Sequence, residues 1–342
     1  MKDKKIKQFL ILLLLVSGWF TAKGQYQIEL PGNSYSFRTI HMTDDYIGSV
    51  VCTLIKRTPV PNQKQAILYV HGYNDYFFQR ALGDSAAAHG YNFYALDLRK
   101  YGRSILSGQD AFYVRNLSEY FADIDTALAI IKTEGNSDIV LMAHSTGGLI
   151  TPLYLQSKGN NLPVNALVLN SPFLDMNMSW FMEKIVIPAI SFIGRYFPNL
   201  KVEGNGISQY AHSLLKRFNG EWEYNEQWKK TFGHPKRAGW IHAIHNGHVT
   251  IQKGLKIGCP ILVMSSDKSI PETKEWNELY HTSDIVLDVN DIQKYGKKLG
   301  NNVTCKIIPG GKHDLILSKE PARKQTYQVM FGWMDQQLKK QE

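Results

Sequence analysis

The chain has 342 residues, 44% of them apolar and 20% charged, which excludes a disordered or fibrous polymer and leaves room for one large domain with an insertion or for two ordinary ones. The formal charge is +9 at pH 7, but Lys2, Lys4, Lys5, Lys7 and Lys23 against Asp3 fall in the first 24 residues, and without them the excess is +5. The remaining basic residues are scattered, so no nucleic-acid footprint follows.

Residues 1–24 read as an export signal. Four lysines open the chain, Phe9 to Val16 is an unbroken apolar run, and Ala22 and Gly24 put small residues at −3 and −1 of a cut before Gln25. The run is shorter than the roughly 20 residues of a membrane span. Export to a periplasm or the medium is the expectation, and an uncleaved N-terminal membrane anchor is the alternative. Cys52, Cys259 and Cys305 read as free thiols at strands, and one disulfide would leave one thiol over.

After the signal, short apolar runs alternate with longer amphipathic stretches, the pattern of βα units and a mostly parallel sheet. Strands are expected at Ser49 to Lys56, Ala66 to Val70, Asn92 to Leu96, Asp138 to Ala143, Ala166 to Leu169, Pro260 to Ser265 and Val303 to Ile308. Helices are expected at Leu117 to Lys132, Thr146 to Gln156, Val289 to Leu299 and Pro321 to Leu338. Between Ser171 and Gly258 the rhythm breaks. Trp180, Phe181, Ile185, Phe192 and Phe197 crowd one stretch, and Trp222, Trp228 and Trp240 follow among charged residues. The expected organisation is a core of residues 25–171 and 259–342, interrupted by a helical cap at residues 172–258. The insertion begins at the sheet edge where open α/β sheets bind ligands.

The sharpest local signal is Ala143-His144-Ser145-Thr146-Gly147 between an apolar strand and a helix. A serine on a strained strand-to-helix turn needs small residues two before and two after it, so that strand and helix can approach. A serine hydroxyl is a poor nucleophile until a base takes its proton. His313, in the glycine-rich loop Pro309-Gly-Gly-Lys-His-Asp314 after the last strand, is the candidate base. The orienting acid has three candidates. Asp284 is favoured, because one helix and one strand fit between it and His313. Asp267 at the end of Pro260 to Ser265 is the alternative, with Asp288 behind it. The order Ser145, Asp284, His313 is the one α/β-hydrolases use. Two backbone amides would receive a developing oxyanion, that of Thr146 after the serine and that of Tyr73 in His71-Gly72-Tyr73.

On these residues, and on Asp97-Leu-Arg-Lys-Tyr-Gly-Arg-Ser104, the chain resembles the α/β-hydrolase superfamily and within it the monoglyceride lipase and serine aminopeptidase-like branch, over Ser49 to Trp333. The resemblance implies an α/β-hydrolase fold: an eight-stranded, mostly parallel twisted sheet flanked by helices, with a helical cap after the sixth strand. It implies hydrolysis of an ester or related acyl bond without cofactor, with Ser145, His313 and the amides of Tyr73 and Thr146 at the site. Two departures stand out. Ala143 replaces the usual glycine. Ser269 occupies the place about nine residues after the strand-opening proline where relatives carry the acid, so Asp284 fits only if residues 268–283 are inserted.

The expected activity is cleavage of a carboxylic ester through an acyl-enzyme, on a lipid-like acyl substrate suited to the apolar cap, which also offers a membrane-facing surface. An aminopeptidase or amidase would want cap carboxylates such as Glu221, Glu223 and Glu226 for a substrate amine. A non-catalytic binding protein on the same scaffold is the alternative of another class. His242, His245 and His248 recur every three residues, but no carboxylate motif accompanies them, and no metal site is expected. Asp97, Arg99 and Arg103 read as a structural charge group.

Overall fold

The computed structural model describes residues 25–28, 34–202, 206 and 208–339, so the expected export signal lies outside the described residues. The centre of the molecule is a nine-stranded sheet in the order β1-β2-β3-β5-β4-β6-β7-β10-β11. Its strands are β1 Gln27–Ile28, β2 Tyr35–Asp45, β3 Gly48–Arg57, β4 Gln65–Val70, β5 Asn92–Asp97, β6 Asp138–His144, β7 Ala166–Asn170, β10 Ile261–Ser266 and β11 Val303–Ile308. From β5 to β11 all neighbours run parallel, whereas β1, β2 and β3 pair antiparallel at one edge.

The central strands are buried on both faces, which explains why they read as apolar runs and not as alternations. Along β4, Ala66, Leu68 and Val70 enter one core while Ile67 and Tyr69 enter the other. Helices α2 Phe121–Thr133, α3 Gly147–Lys158 and α7 Val289–Gly296 cover the first face; α1 Arg80–Ala88 and α8 Glu320–Lys339 cover the second. Ile124, Ala127 and Ile131 of α2, spaced as expected, are fully buried.

Several elements depart from the sequence expectation. The sheet has one strand more than the implied eight, because the two-residue β1 adds to β2. The eleven-residue β2 was not anticipated either: it lies next to the sheet edge, covered there only by the two residues of β1, and its residues are mostly half-buried or exposed, so Arg38, His41 and two aspartates interrupt its apolar pattern. Between β7 and β10 the chain forms α4 Ile187–Tyr196, α5 Gln209–Leu214 and α6 Ala238–Gln252, with a small pairing of β8 Lys201–Val202 to β9 Lys236–Arg237. Strands were not expected there, and at two residues each they are too short to leave a periodic signature.

Candidate active site

The serine turn is built as its sequence implies. Strand β6 ends at His144, Ser145 follows with φ of 51°, and α3 begins at Gly147. Left-handed backbone at a non-glycine residue costs on the order of 1–3 kcal/mol and persists only where surroundings enforce it. Here the Ser145 amide donates to the Asn170 carbonyl at 3.1 Å, and the Ser145 carbonyl accepts from Gly148 at 2.8 Å and Phe173 at 2.9 Å. Small residues are obligatory: a Cβ on Gly147 would lie 2.5 Å from the His71 carbonyl oxygen, and one on Gly148 would lie 2.6 Å from Pro172. The small Ala143 is fully buried in the usual glycine place.

The loop after β11 brings His313 to this serine. The Ser145 hydroxyl donates to His313 Nε2 at 2.9 Å, and His313 Nδ1 donates to Asp284 Oδ2 at 2.9 Å. His313 and Asp284 are both buried. The other Asp284 oxygen accepts from the amides of Val286 at 2.8 Å and Leu287 at 2.9 Å, which fixes the carboxylate. The acid reaches this place by a detour. Ser269 and Asp284 pair as a parallel bridge, with Asp284 donating to the Lys268 carbonyl at 3.0 Å and Ile270 to that of Asp284 at 3.1 Å. Residues between them leave the strand end and return, so Asp284 stands beside the Ser269 position.

The competing carboxylates serve elsewhere. Asp267 Oδ1 accepts from the Gly310 amide at 2.9 Å, bracing the loop that carries His313 without touching the imidazole. Asp288 caps α7 by accepting from Asn290 at 2.8 Å. Asn170 adds a second brace: its side chain donates to Asp314 at 2.7 Å and accepts from Leu315 at 3.1 Å.

Tyr73 and Thr146 both border the cavity above Ser145, and among the described residues their backbone amides have no hydrogen-bond partner. The His71-Gly72-Tyr73 loop passes close to the serine, since a Cβ on Gly72 would sit 2.9 Å from the Ser145 Cβ. His71 fixes this loop by accepting from the Leu98 amide at 3.1 Å and donating to the Gly72 carbonyl at 2.8 Å. The cavity measures about 560 Å³. Met176, Ile187, Ile190, Trp240 and Ile241 supply an apolar wall, largely from the inserted segment. Asp75, Lys229 and Tyr210 supply a polar end beside His313, the Tyr210 ring lying 5.5 Å from the imidazole. Burial acts to raise the Asp75 pKa, but Lys229 at 2.9 Å, with His71 and His144, outweighs it and holds the carboxyl below its usual range. Burial keeps the His144 pKa below the ordinary imidazole value.

This geometry has counterparts among known proteins. The family described as serine aminopeptidase, S33, matches residues 61–320. The chain belongs to that family. "Probable lysophospholipase L2" of Haemophilus influenzae is 24% identical over 247 residues, covering 66% of this chain and 67% of that protein. A soluble variant of monoglyceride lipase from Saccharomyces cerevisiae superposes with a TM-score of 0.63 at 15% identity, over 87% of this chain and 96% of that one. Monoacylglycerol lipase of Paleococcus ferrophilus gives 0.58 at 15% identity, over 88% and 99%. A thermostable carboxyl esterase from Bacillus coagulans gives 0.59 at 14% identity, over 87% and 98%. The fold is that of the α/β-hydrolases.

Other residues singled out in this serine aminopeptidase-family chain do not reach the cavity. Asp97 pairs with Arg103 at 2.9 Å and accepts from the Phe77 amide at 2.8 Å, whereas Arg99 turns to Asp123 at 2.6 Å, so the expected charge group is two groups. The three histidines of α6 diverge: His242 bonds Ser191 and Asn246, while His248 donates to the Phe173 carbonyl at 3.0 Å. Steps of three residues rotate each side chain about 60° round the helix, which sends the first and last toward different neighbours. Among the described residues no group of His, Cys, Asp and Glu could hold a metal. The three cysteines are free, Cys52 and Cys259 buried and Cys305 half-buried. Sequence reading missed Asp75, Lys229, Tyr210 and Lys236 at the cavity; no local pattern links residues so far apart.

Proposed function

We propose that the protein hydrolyses carboxylic esters of lipid-like acyl substrates through an acyl-enzyme on Ser145. The observation that carries this reading is the continuous relay from Ser145 through His313 to Asp284, each contact 2.9 Å. His313 Nε2 takes the proton as Ser145 Oγ attacks the acyl carbonyl. The amides of Tyr73 and Thr146 receive the negative oxygen, and Asp284 stabilises the imidazolium. Collapse expels the alcohol, which takes its proton from His313. Water then attacks the acyl-serine with His313 again as base, and the carboxylic acid leaves. The apolar wall suits a medium or long acyl chain, and the polar end beside His313 suits the departing alcohol. The names of the lysophospholipase and monoglyceride lipase relatives support the same substrate class.

The peptidase reading finds less support. Glu221 is bound to Lys319 at 2.6 Å and Glu226 pairs with Arg217, and the carboxylate that lines the cavity, Asp75, already holds Lys229. A fluorophosphonate probe should label wild type and not Ser145→Ala. A p-nitrophenyl ester series should be turned over at least a hundredfold faster than aminoacyl anilides; the reverse order would return the peptidase reading.

Export and membrane contact belong to the same proposal. Trp180, Phe192 and Phe197 are 70%, 65% and 68% exposed on the inserted segment that walls the cavity, with Lys184 and Arg195 among them. Such a mixed surface suits a lipid interface. N-terminal sequencing of the exported protein should begin at Gln25; recovery with Met1 in membranes would favour the anchored form.

A further inference from the structure

The cavity holds two lysines in different electrical situations. Lys229 is neutralised by Asp75 at 2.9 Å. Lys236 also lines the cavity, yet among the described residues it has no carboxylate within ion-pair distance. Strand β9 sets this division. Arg237, next along it, takes Asp110, the nearby acid, while Lys236 points the other way and lies 5.6 Å from the Tyr73 ring centroid. Tyr73 is held in turn against Trp240, with ring centroids 4.6 Å apart. His234, close by, is acted on by burial, Lys230 and Lys236, which lower its pKa, and by Asp110, which raises it while paired with Arg237. Apart from its histidines, the lining carries two lysines and one aspartate, an excess of one basic side chain.

A cation withdrawn from water without a counter-charge is unfavourable, and burial alone pushes the Lys236 pKa below its ordinary value. An anion entering the cavity offsets that cost in a setting where water screens it weakly. We propose that Lys236 selects acyl substrates that carry an anionic group, a phosphate or a carboxylate, and holds that group beside the Tyr73 and Trp240 rings. The proposal rests on the ester-hydrolase reading and narrows its substrate class.

The test compares kcat/KM for four substrates of equal chain length in two pairs: a monoacylglycerol with the corresponding monoacylglycerol 3-phosphate, and an uncharged methyl ester with one bearing a terminal carboxylate. The phosphate places the charge in the alcohol portion; the carboxylate places it in the acyl portion. Wild type should favour one anionic substrate over its neutral partner at least tenfold, in line with a charge-assisted hydrogen bond. Lys236→Met should bring that ratio to about one, and Lys236→Arg should hold it within about threefold of wild type. Equal rates on anionic and neutral partners in wild type, or a ratio unmoved by Lys236→Met, would overturn the proposal. Each result is a ratio on one enzyme, so a general loss of activity cancels. Failure of the underlying reading looks different: wild type would turn over none of the esters and Ser145 would resist the fluorophosphonate probe.

Discussion

The loops at the sheet's end and the inserted segment above them are built to opposite rules. Ser145, Asp284 and His313 sit on backbone that is braced from several directions, by Asn170, by the Val286 and Leu287 amides, and by Asp267 through Gly310. The inserted segment instead leaves Trp180, Phe181, Phe192 and Phe197 in contact with water. Bond-making chemistry tolerates little misplacement, so its scaffold is over-determined. The uncovered rings of the inserted segment are the surface that the proposed lipid contact would use.

Substitutions can sharpen or break that contrast. The largest effect is expected at the acid. Asp284→Asn keeps an oxygen for the Val286 and Leu287 amides but loses the charge behind His313, and should lower kcat about 10⁴-fold on a p-nitrophenyl ester. Asp267→Asn should stay within about threefold; the opposite outcome would reverse the two roles. Next comes the serine turn. Gly147→Ala drives a Cβ against the carbonyl oxygens of His71 at 2.5 Å and Val70 at 2.8 Å, and should cost about 2–3 kcal/mol of stability. Gly332→Ala, with nothing within 4 Å, should instead stabilise α8 by about 0.5–1 kcal/mol. Urea titration separates the two.

On the inserted segment, replacing Trp180, Phe192 and Phe197 together by Ser should weaken binding to anionic phospholipid vesicles about tenfold or more. Hydrolysis of a soluble short-chain ester should change less than about twofold. Loss of both would mean that the segment's exposed face supports the fold itself. The smallest effect concerns acid stability. Burial holds the His248 pKa down at about 3, so between its unfolded value near 6.5 and that point the unfolded chain binds a proton that the folded chain refuses. Stability should therefore fall as pH drops, by about 1 kcal/mol from pH 6.5 to 5.5 for this residue. His248→Gln should remove that increment in paired urea titrations.

Much of the core was legible because its signals are local. Strand β6, the small residues around Ser145 and the glycines before His313 announce themselves within a few residues, and the apolar runs mark strands buried on both faces. The acid was harder. Ser269 stands where the resemblance places an aspartate, and only the Ser269–Asp284 pairing shows how the later residue is carried to the same spot. Asp75 with Lys229 and Lys236 with Tyr73 are separated by 154 and 163 positions, and a contact across that distance leaves no periodicity to read. Strand β2 and helix α1 were missed for a different reason: one is interrupted by charges near an exposed edge, and the other is only nine residues long and buries just Leu82, Gly83 and Ala86, so it offers one large apolar side chain to read.

The detour between Ser269 and Asp284 also spans two layers of the molecule. Glu272 accepts from the Gln209 amide, and the Gln209 side chain donates to the Lys274 carbonyl at 2.7 Å, so the excursion grips the first residue of α5. The next residue, Tyr210, lies against His313. The loop that carries Asp284 thus also holds the segment whose Tyr210 ring borders the imidazole, so two neighbours of His313 share one support.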